Sequence, residues 1–220
     1  PAPPADPATL AGLANAIRGR PVIAAASTHA GEEDMVIEAH RRLRANFPKL
    51  LTLIAPRHPE RGAGVAEAAR AAGLKAGLRT RGALPDAATD IYVADTVGEL
   101  GLIYRLAPVV FIGGSLVRHG GQNPIEAAKL GAAILHGPHV WNFAELYDAL
   151  DSAHGAELVA DADRLTAGLA ALLAQPAARA SVAAAARTTV DALGGALERT
   201  LQSLEPYLLQ LQLEQRADHA

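Results

Sequence analysis

The chain has 220 residues, with 20 Lys and Arg against 23 Asp and Glu, for a formal net charge of −3. That length suits one large domain or two small ones, at roughly 100–200 residues per domain, and it is enough to bury a core without disulfide or metal staples. The absence of cysteine excludes a disulfide scaffold, a thiol nucleophile and thiolate metal sites, and the balanced charge argues against a nucleic-acid partner, which needs concentrated basic surface.

Half of the residues are apolar but only 4% are aromatic, and much of the apolar share is alanine, so the composition overstates core-building power. Of the basic residues 17 are Arg and 3 are Lys, which we read with the alanine as codon bias. No stretch reaches the ~20 uninterrupted apolar residues of a membrane span. No basic-then-apolar opening marks a signal peptide. The chain starts at Pro1, and its proline-rich opening is expected to be a linker within a longer protein.

Residues 1–8 carry four prolines and no periodic pattern. Thr9 to Arg18 predicts a short helix with Leu10, Leu13, Ala14 and Ile17 on one face. Pro21 to Ala26 is a buried strand, and Glu32 to Phe47 a helix with Met35, Ile37, Ala39 and Leu43 as its apolar positions. Leu50 to Ala55 is a second strand, and Gly64 to Ala72 a helix closed by Gly73. Leu78 to Arg81 is a weak strand and Asp90 to Ala94 a better one, followed by a helix from Gly98 to Arg105. Val109 to Ile112 is a strong strand, Pro124 to Leu130 a helix with Pro in its first turn, and Ala132 to Leu135 a strand. Asn142 to Leu150 is a helix and Ala156 to Val159 a strand. From Ala162 to Leu213 the pattern is helical, with a new helix starting at Pro176 and a break at Gly194-Gly195.

Apolar strands alternating with helices of about ten residues imply a parallel sheet covered on both faces. The expected fold is α/β: a single Rossmann-like doubly wound parallel sheet of about six strands with trailing C-terminal helices. Residues 1–20 are read as linker and short helix, 21–194 as the Rossmann-like domain, and 195–220 as a C-terminal helix and tail. The leucines of that last segment, Leu197 to Leu211, form a stripe that could support self-association.

Ligands of open parallel sheets bind beyond the carboxyl ends of the strands. The residues just after the strands are Ser27-Thr28-His29-Ala30-Gly31-Glu32-Glu33, Pro56 to Arg61, Asp95 to Leu100, Gly113-Gly114-Ser115 with Gly120 to Glu126, and Gly137-Pro138-His139 with Asn142 and Glu145. Polar and glycine residues therefore concentrate at one edge. Glycine N–H groups there can point at an anion. Gly120-Gly121 precedes a helix N-terminus, a phosphate-binding arrangement. Glu126 in that helix's first turn can accept from ribose hydroxyls, and Arg57 can contact phosphate or carboxylate. His29, His58, His119 and His139 lie in these loops without the helical spacing of a metal site. They are expected to donate to an anionic ligand or to cap loops. The G-x-S-x-G elbow, the P-loop and the G-x-G-x-x-G fingerprint are all missing.

In this order the loops resemble the C-terminal half of bacterial 3-deoxy-manno-octulosonic acid (Kdo) transferases. The matching pieces are Ser27-Thr28-His29-x-Gly31-Glu32-Glu33, Pro56-Arg57-His58-Pro59-Glu60-Arg61, Asp95-Thr96-x-Gly98-Glu99-Leu100, Gly113-Gly114-Ser115, Gly120-Gly121-x-Asn123-Pro124-x-Glu126 and Gly137-Pro138-His139-x-x-Asn142-Phe143. They span about residues 9–210. Ala127 departs from the family, which usually has proline there.

The resemblance implies one half of a two-Rossmann glycosyltransferase-B enzyme that inverts the anomeric centre, with no cofactor and no metal. The donor CMP-Kdo would bind here. The lipid A precursor and the catalytic base would belong to an N-terminal domain, so no catalytic residue is expected in this chain. The full enzyme would work in lipopolysaccharide synthesis at the cytoplasmic face of the inner membrane, while this piece alone would be soluble and inactive. Arg57 and His58 would face the phosphate or the Kdo carboxylate. Gly113, Gly114, Ser115, Gly120, Gly121 and Asn123 would cradle phosphate, and Glu126 would hold the ribose. The Asp95–Leu100 loop, with Gly98 and Glu99, would read cytosine, while Ser27, Thr28 and Glu32 would line the cleft toward the other domain. Competing readings are the donor domain of a UDP-sugar glycosyltransferase or epimerase, and a non-catalytic nucleotide-sugar-binding module.

Overall fold

A computed structural model describes residues 3–194. Seven parallel strands form one sheet: β1 (Val22–Thr28), β2 (Leu51–Pro56), β3 (Ala76–Leu78), β4 (Ile91–Val93), β5 (Val109–Ile112), β6 (Ala133–His136) and β7 (Ala156–Leu158), in the order β3-β4-β2-β1-β5-β6-β7. The helices are α1 (Pro7–Ala16), α2 (Glu32–Leu43), α3 (Gly62–Ala71), α4 (Leu100–Leu106), α5 (Ile125–Lys129), α6 (Ala144–Ser152), α7 (Ala162–Ala174) and α8 (Pro176–Gly194). The doubly wound sheet is the one expected. The strands read in chain order already number seven, slightly above the expected total of about six, and both edge strands, β3 and β7, have three residues. The weak strand expected at 78–81 lies earlier, and Arg79–Arg81 instead form a single 3-10 turn that ends in left-handed Gly82.

Strand alternation builds two cores. Ala24, Ala26, Leu53, Val110 and Ile112 face one layer with α1 and α4, while Ile23, Ala25, Ile54, Val109 and Phe111 face the other with α2, α3 and α7. Both faces are covered, so the strands are continuously apolar. On α2 the buried stripe is Val36, Ile37, Ala39, His40 and Leu43, with Met35 only half-buried.

Helix α1 packs into the first core through Leu13 and Ile17, with Leu10 against it and Ala14 turned to solvent. The segment read as linker therefore contributes to this domain's packing. Just after it, the Arg20 guanidinium donates to the carbonyls of Lys49, Leu50, Asp86 and Thr89 at 2.6–3.0 Å, closing the amino-terminal edge of the sheet. Among the described residues no single helix is long and apolar enough to cross a membrane. The leucine stripe from Leu197 to Leu211, the self-association reading that rests on it, and the tail lie outside the described residues.

Candidate functional site

The parallel sheet delivers the loops after β1, β2, β4, β5 and β6 to its carboxyl edge. β1 leaves the sheet through a break in register between Ala26 and Thr28, with Ser27 at φ 56. A non-glycine residue in the left-handed region costs of order 1–3 kcal/mol and persists where the surroundings hold it. The loop after β5 packs directly against it. A Cβ on Gly113 would lie 2.6 Å from both the Ser27 carbonyl oxygen and Thr28 Cα, so only glycine lets the β5 loop cross so close to β1.

The charge that organises this edge is Glu32, which is fully buried at the start of α2. Its Oε1 accepts from the N–H groups of Ser115 and Leu116 at 3.0 and 2.9 Å, and its Oε2 accepts from those of Gly114 and His29 at 2.7 and 2.9 Å. Four N–H donors thus replace water around one carboxylate. This corrects the expectation for three residues. Glu32 does not line an open cleft, and the Gly114 and Ser115 N–H groups are not directed at a phosphate because a carboxylate already occupies them.

The Ser115 hydroxyl is also internal, donating to the Ile112 carbonyl and accepting from Gly137 N–H at 2.8 Å. Thr28 is likewise fully buried, and its hydroxyl donates to Glu33 at 3.1 Å. The Glu33 carboxylate in turn pairs with both Arg61 amino groups at 2.6 and 3.2 Å. Adjacent buried acids are thereby neutralised in different ways, one by amides and one by a guanidinium.

Above this layer three imidazoles converge from three loops. His29 stacks on His119 with ring centroids 3.6 Å apart, and His58 stands edge-on to His29 at 6.0 Å. His29 is only 8% exposed, whereas His58, His119 and Arg57 are exposed. Burial holds the His29 imidazole below its ordinary pKa, as do the charges of His119, His58 and Arg57, with Glu32 opposing. Rings stacked 3.6 Å apart with planes tilted by 35° do not converge their lone pairs on one point, so the pair is unsuited to chelation. Among the described residues no cluster of three or more His, Asp or Glu is arranged for a metal ion. The arrangement is instead cationic on protonation and open to solvent, which suits an oxyanion.

Gly120 (φ +98) and Gly121 (φ +78) form the next wall. A Cβ on Gly120 would lie 2.2 Å from Asn142 Nδ2 and 2.8 Å from Trp141 Nε1, so the loop lies flush against those side chains. The Gly121 N–H donates to the Gly114 carbonyl at 2.7 Å, which links the two glycine turns. Asn123 Oδ1 caps the Ile125 N–H at 2.9 Å. Helix α5 has five residues, so the dipole expected to hold phosphate is short. Glu126 sits half-buried in its first turn, near enough that its charge, second to burial, raises the Tyr104 phenol.

The Asp95–Leu100 loop is braced from within. Glu99 takes Arg79 at 2.9 and 3.1 Å and the Thr96 hydroxyl at 2.5 Å. Burial pushes the Glu99 carboxyl up, but those hydrogen bonds outweigh it and hold it below the usual range. Its oxygens are engaged with Arg79 and Thr96, so Glu99 shapes the loop. The Val97-Gly98 tip of the loop is exposed.

Sequence reasoning also missed a buried brace behind Gly120–Gln122. The Tyr147 hydroxyl donates to the Gln122 carbonyl at 2.7 Å and stacks on His136, whose Nε2 meets Asp151 at 2.9 Å. The one available signal was a histidine ending the apolar strand Ala133–His136.

No protein-family model matches the chain. It is 42% identical over 194 residues to the 3-deoxy-D-manno-octulosonic acid transferase of Bordetella pertussis, covering 86% of this chain and 45% of that protein. It is 38% identical over 190 residues to the enzyme of the same name from Haemophilus influenzae, covering 86% and 44%. The solved structure of the C-terminal CMP-Kdo binding domain of WaaA from Acinetobacter baumannii superposes with a TM-score of 0.79 at 33% identity. That match covers 83% of this chain and 96% of that one. The chain belongs to the Kdo transferase family. It spans about half the length of the curated family members it matches, and it corresponds to the C-terminal domain of the family, one half of the glycosyltransferase-B architecture.

Proposed function

We propose that this chain is the donor-binding half of an inverting Kdo transferase and holds CMP-Kdo across the carboxyl edge of its sheet. The observation that carries the reading is the likeness, over nearly the whole of that domain, to a structure described as a CMP-Kdo binding domain. The site chemistry supports it. CMP-Kdo offers two negative charges, a phosphodiester and a sugar carboxylate, and this edge gathers Arg57, His58, His29 and His119. On this reading Glu126 accepts from ribose hydroxyls and the Val97-Gly98 tip meets the base.

In the reaction the bond between the Kdo anomeric carbon and the phosphate oxygen breaks, and its electron pair leaves with CMP. Charge grows on the phosphate, and Arg57 with the histidines gathered around it stabilises that charge. The acceptor oxygen, on a lipid A precursor, attacks from the opposite face. Its proton goes to a base outside this chain, and no cofactor or metal enters. The full enzyme then works at the cytoplasmic face of the inner membrane, where its lipid acceptor resides.

Calorimetry with the 220-residue chain tests the reading. CMP binds, UMP binds more weakly, and no Kdo transfer occurs. Folded protein that takes up no CMP at millimolar concentration overturns it.

A further inference from the structure

Three loops place His29, His119 and His58 together, and the His29–His119 contact is unusual for two groups that can both become cations. Their centroids are 3.6 Å apart with the ring planes 35° from parallel. Two imidazolium rings so close repel strongly in a half-buried setting. That repulsion limits the stack to one charge at most, and burial of His29 opposes even the first proton on that ring. An oxyanion alongside reverses that balance, because a charged imidazole then gains a charge-assisted hydrogen bond.

Of the other groups around His29, Glu32 favours a charge on the ring, while Arg57 and His58 disfavour it. From the β1 loop itself comes Glu32, whose carboxylate is already surrounded by four N–H donors. From the β2 loop come Arg57 and His58, and from the β5 loop His119 and Gln122. Gln122 Nε2 lies 3.2 Å from His29 Nε2. In that orientation a neutral ring accepts from the amide. Turning the amide over presents its oxygen, so the same ring, once protonated, donates to it. The environment accommodates both charge states of His29 without moving the backbone.

We propose that the His29–His119 stack is a proton-coupled oxyanion clamp, which takes up a proton as it receives a phosphate or carboxylate group and so binds that group more tightly as the pH falls. The clamp deepens the donor-site reading above and rests on it for the identity of the ligand. Burial and the neighbouring cations already hold the empty His29 ring below its ordinary pKa, so the proton is there to be gained across the neutral range.

The test follows the imidazole Cε1–H resonances of His29 and His119 from pH 5 to 8 in the 220-residue chain. Each titration is run alone and with saturating sulfate, CMP, free Kdo or cytidine. Sulfate is the primary probe because it does not itself titrate in this range. CMP carries only the phosphate and Kdo only the carboxylate, so the two arms identify which group the clamp receives.

The expected result is an upward move of the titration midpoint by about one pH unit with sulfate and with at least one of CMP and Kdo. That corresponds to about tenfold tighter anion binding at low pH than at high pH, while cytidine leaves the midpoint in place. His119→Ala, at an exposed position, should raise the His29 midpoint in the free chain and shrink the anion-induced move. CMP binding by calorimetry with both midpoints unmoved overturns the clamp and leaves the donor reading standing. A move with sulfate in a chain that binds neither CMP nor Kdo supports the clamp and overturns the donor reading.

Discussion

The Glu32 carboxylate accepts the Gly114 N–H at 2.7 Å across 82 residues of sequence, so the loop after β1 and the loop after β5 share one buried charge. Four N–H donors converge on its two oxygens, two on each. A glutamine has one oxygen, so Glu32→Gln satisfies at most two of them and turns an amide NH2 toward the others. With each orphaned buried donor costing about 1–3 kcal/mol, the variant should lose about 3 kcal/mol by urea unfolding and weaken CMP binding as the loops part. A loss below ~0.5 kcal/mol would show that the carboxylate is not what joins them.

His40 should set part of the acid sensitivity of the fold. It is fully buried on α2, with Nδ1 on the Thr52 hydroxyl at 2.8 Å and Nε2 lacking a hydrogen-bond partner, 3.7 Å from Asp90. Burial holds its pKa at about 4, with Asp90 opposing and Arg44 and Arg20 reinforcing. The folded value lies below the unfolded one, so the unfolded chain binds the extra proton. Stability present at pH 7 is therefore lost as the pH falls from about 6.5 towards 4. The expected loss is about 3 kcal/mol. Comparing wild type with His40→Gln in urea at pH 7 and pH 4.5 isolates it. Equal pH slopes in the two proteins would remove His40 from the account.

Gly120→Ala and Gly131→Ala separate crowding from backbone strain. Both glycines have positive φ, +98 and +78, but only Gly120 has neighbours where a Cβ would go. Gly131→Ala should cost about 1 kcal/mol for the left-handed conformation alone. Gly120→Ala should cost more, because Asn142 and Trp141 must yield, and should also weaken CMP binding. Equal losses of stability would mean that the close approach to Asn142 relaxes freely.

Glu126→Ala tests the ribose contact. CMP should bind about tenfold more weakly to the variant, consistent with losing one charge-assisted hydrogen bond of about 1.5 kcal/mol, and deoxy-CMP should change less. Equal losses for the two ligands would take Glu126 away from the ribose.

The doubly wound fold was legible because apolar runs such as Val109–Ile112 and Leu50–Ala55 alternate with helical patterns, and parallel pairing follows from that alternation. The edge strand β3 was less so, since Ala76–Leu78 has too few residues for a pattern. The site was legible at the level of loops. Strand ends fix which segments meet, and Gly113 and Gly120 marked the close approaches.

Side-chain direction was not legible. Glu32 and Glu99 both read as ligand groups because a carboxylate in a polar loop is ambiguous until its partners are known. Those partners, Gly114 to Leu116 and Arg79, come from other strands. Two adjacent acids at 32 and 33, in a segment with apolar helix positions behind it, were the available hint that each needed a neutraliser.

The Arg20 contacts are one end of a clasp along the sheet. One guanidinium ties the turns at 49–50 and 86–89 directly behind α1, at the opposite end of the sheet from the histidines and glycine turns. The chain ahead of α1 is held at the other end, where the Arg105 guanidinium donates to the Pro3 carbonyl at 2.9 Å, so the segment from Pro3 to Arg20 runs the height of the sheet and ties its ligand edge to its amino-terminal edge.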